Sequence, residues 1–119
     1  CFAPVAGYSS FGSYTGNGSA DGPFVYTGFR PRWIMIKTTA NISGNWYILD
    51  TARDTVNVMP LDLYANDSAA ESTVTTNQLD ALSNGFKLRG TGGGMNGSGH
   101  TLIYAAFAEN PFALNARAR

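Results

Sequence analysis

Trp33-Ile34-Met35-Ile36-Lys37 and Trp46-Tyr47-Ile48-Leu49-Asp50 are the two runs on which the fold turns. Both are short, rich in aromatic and β-branched residues, and bounded by Pro, Asn, Ser or Gly. Such runs read as strands buried in a sheet or sandwich rather than as helices. A third run of the same kind, Leu102 to Ala108, lies near the end of the chain. The loop Ala40 to Asn45 makes Arg32–Thr39 and Trp46–Thr51 a hairpin.

Working outward, Phe11 to Tyr14 alternates large and small residues and reads as a short edge strand. Thr15 to Gly22 is turn chemistry throughout. Phe24 to Thr27 is the next strand, and Arg30-Pro31 marks a bend, because the residue before Pro is pushed to extended geometry. Thr51 to Ser72 is the least regular stretch. Pro60 forbids a central strand there, and Ser68-Ala-Ala-Glu71 fits a capping box, which predicts one helical turn over 66–72. Val74 to Asp80 is a candidate strand. Leu79 to Leu82, then Ser83-Asn84-Gly85, then Phe86 to Arg89 reads as a tight hairpin. Gly90 to Gly99 reads as a flexible hairpin loop. The whole gives roughly seven or eight short strands spaced about 8–12 residues apart, the pattern of an antiparallel β-sandwich or jelly roll.

The 119 residues suit one domain over 1–119, with its core over 11–112 and extended termini at 1–10 and 113–119. Beginning at Cys1, the chain reads as a fragment of a longer protein. Only 13% of residues are charged, and eight basic residues balance eight acidic ones. That composition leaves no electrostatic footprint for nucleic acid or an anionic membrane. No apolar run is long enough to span a membrane. One cysteine allows neither an intrachain disulfide nor a Cys-based zinc site.

No motif for catalysis, metal or cofactor stands out, and none of these is expected. Cys1 as a nucleophile would need His100 beside it. A glycan hydrolase would need two facing carboxylates from Asp50, Asp54, Asp62, Asp67, Glu71 and Asp80. Asn17, Ser19 and Asp21 alternate as calcium-loop ligands do, but the closing Glu of an EF-hand is absent, so a β-turn loop is the expectation. The Gly-rich 90–99 loop lacks a P-loop Lys. Asn-X-Ser sequons fall at Asn17, Asn41, Asn66 and Asn96.

The strongest binding candidates are Trp46, Tyr47, Asp50 and Arg53. In a strand, Trp46, Ile48 and Asp50 share one face and Tyr47, Leu49 and Thr51 the other. A flat aromatic face beside planar hydrogen-bonding groups is what sugar recognition needs. The competing reading makes Trp33 and Trp46 core aromatics and Asp50–Arg53 a structural ion pair.

Four segments carry a resemblance: Gly16-Asn-Gly-Ser-Ala-Asp-Gly-Pro-Phe-Val-Tyr-Thr-Gly-Phe-Arg-Pro-Arg-Trp-Ile-Met-Ile-Lys37, Asn45-Trp-Tyr-Ile-Leu-Asp-Thr-Ala-Arg53, Leu82-Ser-Asn-Gly-Phe-Lys-Leu-Arg89 and Ile103-Tyr-Ala-Ala-Phe-Ala-Glu-Asn-Pro-Phe112. Together they resemble a module at or near the C-terminus of large tailed-phage and prophage tail or fibre-like virion proteins, beside lectin-like jelly-roll domains. The resemblance covers Tyr14 to Phe112. It implies a β-sandwich, a place in the virion and a structural or host-attachment role. The partners it implies are other virion proteins, further copies of the chain and host-surface glycans. It carries over no catalytic residue. If copies associate, Met59, Phe112 and Leu114 are the expected apolar contacts.

Overall fold

A computed structural model describes residues 1–40 and 44–112. The strands are β1 (Ser9–Thr15), β2 (Phe24–Tyr26), β3 (Pro31–Thr38), β4 (Tyr47–Asp50), β5 (Leu61–Tyr64), β6 (Ser72–Thr73), β7 (Leu79–Leu82), β8 (Gly85–Leu88) and β9 (Thr101–Ala108). A single helical turn, α1 (Gly93–Asn96), precedes β9. All pairings are antiparallel. One sheet runs β1-β9-β3-β4-β5-β6 and the other β2-β8-β7. The expected β-sandwich is thus present, with sheets of six and three strands.

The period-two alternation of β3 decides which side faces in. Ile34, Ile36 and Thr38 are buried, whereas Trp33, Met35 and Lys37 are only partly covered. Tyr47 and Leu49 continue the inner face on β4, as do Leu102, Ala106 and Ala108 on β9. The small sheet lays Val25, Phe86, Leu88, Leu79 and Ala81 against them. Phe86 is fully buried and meets Tyr14 and Tyr104 edge-on at 6.1 and 5.4 Å.

The β7–β8 hairpin forms as the sequence predicts, with Leu82 opposite Gly85. Gly85 is nonetheless not a turn residue with positive φ: it is the first residue of β8. Glycine is needed there because a Cβ would strike the Val25 carbonyl oxygen on the neighbouring strand.

Several local expectations are corrected. The capping box at 68–71 makes no helix: residues 67–71 are irregular, and Glu71 spends its carboxylate on Arg53 instead. Val74 to Gln78 is loop, with Asn77 turned inward, and the strand starts only at Leu79. β5 begins directly after Pro60, and Asp54 Oδ2 accepts from Leu61 N there at 2.9 Å. The Gly90–Gly99 segment is packed rather than a free loop, since Met95 and Asn96 are buried. The N-terminal residues are not merely extended. Val5 and Ser9 exchange backbone hydrogen bonds around a turn, and Phe2 stacks on Phe11.

Candidate functional site

The outer face of the large sheet is left uncovered by the small sheet. Along β9, Ile103, Ala105 and Phe107 point outward; along β3, Trp33, Met35 and Lys37 do so. Phe11 of β1 stands beside Ala105, and Ile48 of β4 beside Met35. Trp46 enters from the start of β4. Phe2, Phe11, Trp33, Met35, Trp46, Ile103 and Phe107 line a groove of about 300 Å³. That size is at the lower end for a ligand pocket.

Aromatic contacts fix the floor of the groove. Phe107 lies 5.7 Å from Trp33, 5.8 Å from Phe11 and 5.7 Å from Phe2, ring centre to ring centre. Tyr8 extends the aromatic surface from Phe107 to Phe112, on which it stacks at 5.6 Å. Several of these side chains remain open to solvent: Phe2 is 80% exposed, Phe112 53%, Ile103 40% and Trp46 37%.

The four sequence-predicted residues do not converge. Trp46 lines the groove. Tyr47 points the other way, into the core, edge-on to Tyr64 at 5.4 Å, and does not line the groove. Asp50 lies on the outer face opposite Trp33, and both of its carboxylate oxygens already accept hydrogen bonds. Oδ1 accepts from Ala52 N and Arg53 N at 3.0 Å, and Oδ2 accepts from Arg53 Nε at 2.6 Å. Burial pushes the Asp50 carboxyl up, yet the bonds from Arg53 outweigh it and hold it below the usual carboxylate range. Arg53 further donates to Glu71 Oε2 at 2.8 Å and to the Ile48 carbonyl at 3.1 Å. The Asp50–Arg53 pair closes the turn after β4, and the Arg53–Glu71 pair ties that turn to the segment before β6.

Other sequence candidates are likewise occupied. Asn17 Oδ1 accepts from Ser19 N and Ser19 Oγ from Asp21 N, which are turn bonds. Asp21 pairs with Lys87 at 2.7 Å. Asp80 pairs with Arg89 at 3.0 Å. His100 Nδ1 lies 3.3 Å from the Gly93 carbonyl. Cys1 is exposed. Asn96 itself is fully buried, so its amide can carry no glycan in the folded chain, and Asn41 lies outside the described residues. No cluster of three metal-ligating side chains is present among the described residues.

Sequence reasoning missed most of the groove because it assigned the two tryptophans to rival readings. The signal was present. β3 and β9 are apolar on both faces, but the small sheet covers only one of them. A continuous apolar run in a two-layer fold therefore leaves its second face bare.

Fold and groove together define a small all-β sandwich with one apolar, aromatic outer face. The chain belongs to the DUF7483 family, a domain of unknown function whose model matches residues 1–111. No curated protein and no solved structure matches it.

Proposed function

We propose that this domain is a structural and binding module of a tailed-phage particle, contributing to assembly and host attachment through the aromatic groove of its large sheet. The resemblance of its four sequence segments to C-terminal modules of tail and fibre-like proteins supplies the context. The groove supplies the mechanism. Burying apolar area yields roughly 25 cal/mol per Å², and rigid aromatic anchors lose little conformational entropy on binding. The groove side chains are almost all apolar, which suits an apolar segment of another virion protein better than a ligand rich in hydroxyls. In this reading the module is not an enzyme and acts outside the cell, as part of the virion.

The test is to purify particles from a host carrying the gene and look for the chain by mass spectrometry. Its presence at a fixed stoichiometry supports the reading; its absence from intact particles overturns it.

A lectin-like role is the second reading, favoured by Trp33 and Trp46 lining one groove. Each could stack on a pyranose ring. A glycan array decides it: binding to one glycan class, lost in Trp46→Ala with the fold intact, would establish a host-glycan receptor function.

A further inference from the structure

The sandwich has four strand edges, and it closes or shortens three of them. β7 is covered by the 57–59 segment: Met59 N donates to the Leu79 carbonyl at 2.9 Å, while the Asn57 amide donates to the Ala81 carbonyl at 3.0 Å and accepts from Ala81 N at 2.9 Å. The Asn57 side chain stands in for a strand there. β6 has two residues and β2 three. β1, at the margin of the large sheet, has seven.

The direction of the β1 backbone follows from its ends. Tyr8 O accepts from Ala108 N at 2.8 Å, and Gly16 N donates to His100 O at 2.9 Å. Even-numbered residues therefore turn their N–H and C=O toward β9, and odd-numbered ones turn theirs away. Ser9 satisfies its pair with Val5. That leaves Phe11, Ser13 and Thr15 aimed outward, with no backbone partner among the described residues. Gly12, Ser13 and Thr15 are exposed. The strand reads Ser-Ser-Phe-Gly-Ser-Tyr-Thr, without a charge or a proline. Edges that must stay single usually carry one or the other.

We propose that β1 is a docking edge for a second copy of this chain, pairing antiparallel with its own equivalent across a two-fold axis at Ser13. Three outward residues fix the register. Ser13 opposes the same residue of the partner copy, and Phe11 opposes Thr15 in both directions. Only this register uses all six free backbone groups, and the pairing is self-complementary, as a closed dimer requires. The Val5–Ser9 bridge stops the partner strand at one end, and Gly16 turns the chain away at the other. Zero net charge adds no repulsion between copies. The two large sheets become one twelve-stranded sheet, with both aromatic grooves on the same face. The interface uses the backbone edge of β1 and the groove uses side chains; Phe11 belongs to both, through its main chain and its ring respectively.

Sedimentation velocity over rising concentration tests this, with Ser13→Lys and Ser13→Asp as variants. The wild type should sediment as a dimer. Each variant alone should be monomeric, because like charges directly opposite repel, and should melt where the wild type melts when diluted to monomer, because the Ser13 side chain is exposed. Mixing the two variants should restore the dimer, which a merely structural role for Ser13 would not do. A wild type that stays monomeric throughout overturns the proposal. So does a dimer that survives both variants; if that dimer is then lost in Ile103→Asp, association runs through the groove and the reading of the groove stands alone.

Discussion

Asp62 is fully buried on the inner face of the large sheet and accepts a single hydrogen bond, from Asn77 Nδ2 at 3.0 Å. Its second oxygen, Oδ1, is buried without a partner. Burial raises its carboxyl to about 6, and the Asn77 bond and the Arg53 charge only partly offset this. An unpaired buried carboxylate is costly, so the group keeps its proton until the pH rises through about 6.

The consequence is a stability that falls as pH rises. The folded state binds the Asp62 proton more tightly than the unfolded state does, so folding takes up protons between about pH 4 and 6. Two pKa units correspond to about 3 kcal/mol, present below that window and lost above it. Asp50 acts in the opposite sense, since Arg53 holds it low and its contribution disappears only on acidification below the usual carboxylate range. Urea unfolding from pH 4 to 7 should show stability declining in the wild type. In Asp62→Asn that decline should be much smaller, the remainder coming from Asp54, whose carboxyl burial also raises.

Arg53 should matter for stability and not for recognition. It contacts Asp50, Glu71 and the Ile48 carbonyl, and it does not line the groove. Arg53→Ala should cost about 1–3 kcal/mol, the scale of losing charged hydrogen bonds at a partly buried site, and lower the melting temperature by several degrees. Binding through the groove should be unchanged at temperatures where the variant is folded. Thermal melts beside a binding titration check both halves.

Asn96, at the end of α1, joins two loops through one buried amide. Its Oδ1 accepts from Asn17 N at 2.9 Å, and its Nδ2 donates to the carbonyls of Ser19 at 2.8 Å and Gly90 at 2.9 Å. Asn96→Ala leaves these groups unsatisfied inside the protein, for an expected loss of about 2–4 kcal/mol. Asn96→Asp keeps the acceptor but replaces both donors with charge, and should cost as much or more at neutral pH. Chemical denaturation of the two variants would measure this.

What the sequence disclosed follows the strength of local signals. β3, β4, β8 and β9 were legible because apolar or alternating runs end at Pro, Asn or Gly. The β1 edge showed in the alternation of Phe11 to Tyr14. The 51–78 region was not legible, because its form depends on distant partners: Glu71 on Arg53, Asn77 on Asp62, Asn57 on Ala81. Long-range polar bonds leave no periodicity. Met59 illustrates the same limit. Expected between copies, it is 1% exposed in the core of a single chain, where it bridges to Leu79. Phe112 is exposed as an interface residue would be, and Leu114 lies outside the described residues. At the site, strand alternation placed Trp46 and Asp50 on one face, but only the pairing of β3 with β9 brings Trp33 and Phe107 together.

The most direct measurement is the amount of the chain in purified particles from cells encoding either the wild type or Ile103→Asp, with the variant's fold checked by circular dichroism. Ile103 lines the groove and is exposed, so a carboxylate there should bar an apolar partner while leaving the inner core intact. The account predicts wild-type chain in every particle preparation and at least about a tenfold loss in the variant, the equivalent of 1.4 kcal/mol or more. Equal incorporation of the two chains would contradict it.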